Sequence, residues 1–251
     1  KSGSPKKIIE KAVPLFIEKI NSLSVEEKRR MMDTIAEWLN KKDMMVYFKN
    51  EPFQQFLDYY GWTGKVMDVA SDTASDYLAV VSSNIGGEKS DMFMAQDILL
   101  ESQINGDGTV NNYLTVIREH RAKKDEAWWY TAMNQSYIKV FVMPPAELSY
   151  ASGGVEKKIV PRVRYESTKY TADPLVRKIE SSRREYIEYP EVQGFEEADK
   201  TVFATWSRVK AREKAKITFD YTHRLVAPLR AGDKYRFVFE KQAGVRGSYR
   251  F

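Results

Sequence analysis

The sequence predicts an α+β protein in which N-terminal helices with a short strand precede an antiparallel β-sandwich. Three observations carry that prediction. Up to about residue 60, apolar residues recur at three- and four-residue steps, the period of a helix face. From about residue 76 the period drops to two, as in strands with one buried face. Glycine, proline and asparagine clusters then punctuate at least seven such runs, the pattern of a sandwich. The expected division is a helical or α+β portion over 1–75 and a sandwich over 76–251.

Ile9, Val13, Phe16 and Ile20 form the first helical stripe, which Pro14 interrupts with a kink or a late start. Ser24-Val25-Glu26-Glu27 reads as a capping box, with Ser24 accepting from the third amide and Glu27 reaching back. The helix it opens carries Met31, Ile35, Trp38 and Leu39 on one side. Met44 to Phe48 is too short for a helix and reads as a buried strand. Asn50 caps a third helix, Pro52 sits in its first turn and Gly61 ends it. Phe53, Phe56, Leu57 and Tyr60 are expected to face inward.

Strands are expected at 76–82, 92–104, 109–120, 137–142, 201–209, 214–222 and 234–240, with a further candidate at 159–165. Asn105-Gly106-Asp107-Gly108 is a hairpin turn between the second and third. Val110, Asn112, Leu114, Val116 and Arg118 then share one face of the returning strand. Pro144-Pro145 stops the fourth. The charged stretch 173–200 reads as a helix followed by an irregular loop.

Composition excludes whole classes of function. The 251 residues contain no cysteine, so disulfides, thiol catalysis and cysteine-held metals are out. No run of 18 apolar residues spans a bilayer. The net charge of +5 comes from 40 basic against 35 acidic residues spread along the chain. Nucleic-acid binders concentrate such charge on one stripe, so no nucleic acid is expected as partner. The opening Lys1-Ser2-Gly3-Ser4-Pro5, without Met or apolar leader, reads as a segment of a longer protein.

The residues permit few catalytic constellations, and no catalytic residue, cofactor or metal is assigned. His120 and His223 are the only histidines and read as two half-exposed strand residues. No G-x-S-x-G elbow is present. Asn105 and Asp107 place oxygens as a calcium loop does, without the terminal bidentate Glu. Asn84-Ile85-Gly86-Gly87-Glu88-Lys89-Ser90-Asp91 has glycines and a Lys-Ser pair after a strand, but Glu88 breaks the phosphate-loop pattern. Two readings stay open there. The glycines form a backbone nest for an anion with Lys89 adding charge, or they turn the chain between strands while Asn84 and Asp91 satisfy loop amides. Trp128-Trp129-Tyr130 is either a sugar-stacking platform or half core and half rim.

Val46 to Gly64, with its helix ending in Gly61-Trp62, is followed by Asp76 to Asn84 and by Gly87-Glu88-Lys89-Ser90-Asp91. This succession resembles the bacterial domain-of-unknown-function 4012 family. Thr201 to Trp206, Ile217-Thr218-Phe219 and Lys241 to Gly244 fit it as well. The resemblance covers about residues 6 to 251 and corresponds to the C-terminal half of such a protein. It implies an extracytoplasmic part of a bacterial envelope protein, anchored by a transmembrane helix upstream of this chain. The family's N-terminal part has a loose similarity to the LytR-CpsA-Psr envelope-polymer transferases, whose arginine-bearing segments lie upstream. Asn84, Lys89 and Asp91 match the family's loop, whereas the charged stretch 155–200 is longer than the family's.

Two functions follow as expectations. The first is a non-catalytic extracytoplasmic module that binds another envelope protein or a glycan and presents an exposed apolar or aromatic patch with no deep polar pocket. The alternative is a fragment of a phosphotransferase-like enzyme acting on lipid-linked glycans. That enzyme would need a cleft where Lys89, Asp91 and nearby arginines converge on a phosphate-sized site.

Overall fold

The computed structural model describes residues 7–69, 74–157 and 171–251. The chain divides into two units, 1–65 and 66–251, so the boundary falls earlier than residue 75. The strand expected over 159–165 lies outside the described residues.

The first unit holds α1 (Lys7–Ser22), α2 (Val25–Asn40) and α3 (Glu51–Tyr59). Its caps are those the sequence specifies. Ser24 Oγ accepts from Glu27 N (3.3 Å), and Glu27 Oε2 accepts from Ser24 N (2.8 Å), satisfying two orphan amides at the start of α2. Asn50 Oδ1 accepts from Phe53 N (3.2 Å), and Gly61 turns the chain at φ +69° after α3. α1 runs through Pro14. The packing differs from expectation. Leu39 and Leu57 are buried, but Phe53, Phe56 and Tyr60 lie exposed around α3, where their rings stack on one another. Met44 to Phe48 is neither a strand nor buried, because a helical unit offers it no partner strand; Val46 N donates to Trp62 O (3.0 Å).

The second unit is two sheets packed face to face. One has the order β10-β1-β4-β8-β7-β6, the other β11-β2-β3-β9-β5. In chain order these are β1 (Ser75–Asn84), β2 (Met94–Ile104), β3 (Thr109–His120), β4 (Asn134–Val142), β5 (Ala146–Ser152), β6 (Arg184–Glu185), β7 (Val192–Glu197), β8 (Lys200–Val209), β9 (Lys214–Arg224), β10 (Arg236–Glu240) and β11 (Tyr249–Arg250). Two short helices, α4 (Trp128–Thr131) and α5 (Pro174–Ser181), interrupt the strands. No helix among the described residues is long and apolar enough to cross a membrane.

Neighbouring strands are antiparallel except at two edges. β10 runs parallel to β1, with Val238 opposite Tyr77, and β11 runs parallel to β2, with Tyr249 opposite Ile98. Strands so distant in sequence are free of the hairpin constraint that forces antiparallel pairing. The expected irregular loop after α5 is instead β6 and β7, which extend the first sheet beyond β8.

Inner faces of both sheets meet in one core containing Leu78, Val80, Leu114, Val116, Ile138, Val140, Phe203 and Phe219. The outer face of the six-stranded sheet carries a second apolar layer of Tyr77, Ala79, Phe141, Val202 and Ala204. Val66, Met67, Val69 and Ile179 of α5 cover that layer. Hence β1 is buried on both faces and reads as a continuous apolar run, and residues 66–69 belong with the sheets.

Candidate functional site

The loop after β1 is held by its own residues. Asn84 Oδ1 accepts from Gly87 N (2.8 Å) while Asn84 Nδ2 donates to the Glu88 carbonyl (3.2 Å). Gly86 adopts φ +96°, and its carbonyl accepts from Gln135 Nε2 (3.2 Å). Gly87 is buried so tightly that a Cβ there would sit 2.7 Å from Gln135 N. Lys89 is exposed and contributes its backbone N–H to Trp129 O (3.1 Å). The side chains of Asn84 and Ser90 are therefore consumed by neighbouring backbone, as a structural turn requires.

Asp91 differs from its neighbours in this loop. It opens toward a cleft of about 180 Å³ between β1 and β2, lined also by Ser82, Gln96, Arg118, Gln242 and Gly244. Residues 242–245 cross the mouth of the cleft on their way from β10 to β11. Gln242 is fixed there by its amide, which accepts from Ser82 N (2.7 Å) and donates to Ser82 O (2.9 Å) like an added strand residue. Gly247 permits the return toward β2, since a Cβ there would meet Gln96 O at 1.8 Å.

Arg118 lies at the base of this cleft, on the core-facing side of β3, and is only 2% exposed. Its Nη2 donates to Ser136 Oγ (3.1 Å), Ser136 Oγ donates to Asn134 Oδ1 (2.8 Å), and Asn134 Nδ2 donates to Asp91 Oδ1 (2.7 Å). Two neutral side chains of β4 thus relay between the buried cation and Asp91 across the two sheets. Arg118 Nε and Nη1 have no hydrogen-bond partner among the described residues. Burial pulls the guanidinium down to about 10, against the opposing field of Asp91, so it stays charged at neutral pH.

Trp128, Trp129 and Tyr130 lie together on α4. Trp128 is 66% exposed and Trp129 38%, with their rings edge to face at 5.8 Å. Tyr130 lies edge to face with both Trp129 at 6.0 Å and Phe93 at 5.4 Å. Next to α4, His120 Nε2 lies 3.0 Å from the Ala132 carbonyl. The tryptophans are thus presented on a tethered turn.

Both histidines are fully buried rather than half-exposed. At the opposite end of β3, His223 Nδ1 pairs with Asn112 Nδ2 (3.1 Å) and its Nε2 lies 3.7 Å from Asp76 Oδ1. Tyr235 donates to Asp76 Oδ2 (2.8 Å) and Tyr77 N to Asp76 Oδ1 (2.7 Å). Burial raises the Asp76 carboxyl and lowers the His223 imidazole, each against the attraction of the other. The hydroxyl of Tyr221 is buried beside them without a hydrogen-bond partner among the described residues. This network fastens β1, β3 and β9.

The sequence reading of Asn84, Gly86, Gly87, Lys89 and Asp91 as one site is thus divided. Only Asp91 lines the cleft, and the residue that sequence reasoning missed is Arg118. Its signal was a charged residue in the apolar row Val110, Leu114 and Val116. Compared with family models, with curated proteins and with solved structures, the chain matches none.

Proposed function

We propose that the chain is a non-catalytic interaction module, the extracytoplasmic part of a membrane-anchored bacterial envelope protein. It binds a glycan or another envelope protein through Trp128 and Trp129. The observation that carries the binding role is the two-thirds exposure of Trp128 beside Trp129 on a turn tied to β3 and to the loop at Lys89. Large exposed aromatics on a tethered element offer stacking area at little conformational cost. The envelope setting rests on the resemblance carried by residues 46–64 and 76–91.

A glycan array and an envelope pull-down on this chain test the reading. Trp128→Ala with Trp129→Ala is expected to weaken capture at least about tenfold. Undiminished capture by the double variant would remove the platform. The enzyme alternative draws support from Asp91 and Arg118 lining one cleft, but Lys89 does not line it. Turnover of a pyrophosphate-linked lipid glycan by this chain alone would establish that alternative.

A further inference from the structure

We propose that the cleft between β1 and β2 is a binding site for a small oxyanion, a carboxylate or phosphate group, held by Arg118 and Gln96. The proposal is independent of the tryptophan platform, because none of its residues belongs to α4.

The argument starts from unspent donors. A buried guanidinium normally pairs with a carboxylate, since an isolated charge away from water costs several kcal/mol. No carboxylate lies within 4 Å of Arg118 among the described residues, and Ser136 is its one hydrogen-bond partner. Its Nε and Nη1 carry three hydrogens, are sealed from solvent and bond to nothing among the described residues. Gln96, also buried, accepts from Ser82 through Oε1 (2.7 Å), while its Nε2 makes no hydrogen bond among the described residues. Both side chains line the cleft, so a guanidinium charge without a carboxylate and the unfilled Gln96 amide meet there, and oxyanions are what a guanidinium fork accepts best.

Size narrows the occupant. About 180 Å³ admits a carboxylate or phosphate group. Whole small-molecule ligands occupy pockets of about 300–1,000 Å³. Asp91 is the one acid on the lining and opposes an anion, so it sets the affinity low. Asn134 holds its Oδ1.

Isothermal titration of the chain with inorganic phosphate, and separately with acetate, tests this at constant ionic strength against a chloride control. Saturable binding of at least one is expected, with Asp91→Asn tightening it about tenfold and Gln96→Leu weakening it about tenfold. Arg118→Met is expected to abolish binding. Should that variant fail to fold, the opposite shifts of Asp91→Asn and Gln96→Leu still decide. Binding of phosphate alone assigns a phosphoryl group as the occupant, and binding of acetate a carboxylate. Heats equal to the chloride control for both anions, or equal affinities in wild type and Asp91→Asn, overturn the proposal.

Discussion

The helical unit and the sheet unit use similar apolar residues to different effect. In α1 the row Ile9, Val13 and Phe16 is exposed, with Phe16 at 68%. In β8 the row Val202, Phe203 and Ala204 is sealed on both sides. Periodicity determines which residues share a face, but only a facing layer removes that face from water. A stripe on a helix is a statement of geometry, and burial is a statement about neighbours.

Substitutions can break or sharpen that contrast. Phe203→Ala should cost the sheet unit about 4 kcal/mol by denaturant titration, because it empties the space between Phe219 and Tyr221. Gly153→Ala should cost about 3 kcal/mol, since its Cβ would meet the Lys216 carbonyl at 1.9 Å on a backbone at φ +80°. Tyr221→Phe should instead stabilise by about 1 kcal/mol, because it removes a buried hydroxyl that bonds to nothing among the described residues. Phe16→Ser in α1 should move stability by less than about 0.5 kcal/mol, the two residues having similar helix propensity. A loss as large as that of Phe203→Ala would refute the contrast itself.

The pH dependence probes the sheet unit alone. His223 is lowered by burial below its ordinary 6.5, so the stability it contributes is complete above 6.5 and declines as pH falls from there toward its folded value. Asp76, raised by burial, acts in the opposite sense and gains on protonation. Comparing melting temperatures at pH 7.5 and 5.5 isolates the imidazole. Wild type should lose more on acidification than His223→Gln, and an equal or smaller loss would show that burial does not depress His223.

The fold was readable where local rules act alone. Ser24, Asn50 and Gly61 announce helix ends because a cap needs only residues near it. Asn105 to Gly108 announces the β2–β3 hairpin for the same reason, with Asp107 accepting from Thr109 N (3.0 Å). The two-residue strands β6 and β11 carry no period, and Met44 to Phe48 looks like a strand until the partner is sought. At the site, Asp91 was legible from the loop pattern, while Arg118 reads as one of several strand residues until both sheets are placed. Its meaning depends on Ser136 of β4, which bonds to it and to Asn134, and on Gln96 of β2, which lines the same cleft.

The two parallel edge strands have a consequence for synthesis. β1 and β2 leave the ribosome well before residues 236–250, which supply the partners of their outer flanks. Until then a nascent polypeptide displays unpaired ladder groups on both flanks, an invitation to neighbouring chains. Stalled translation before residue 236 is therefore the circumstance in which this protein would most need a chaperone.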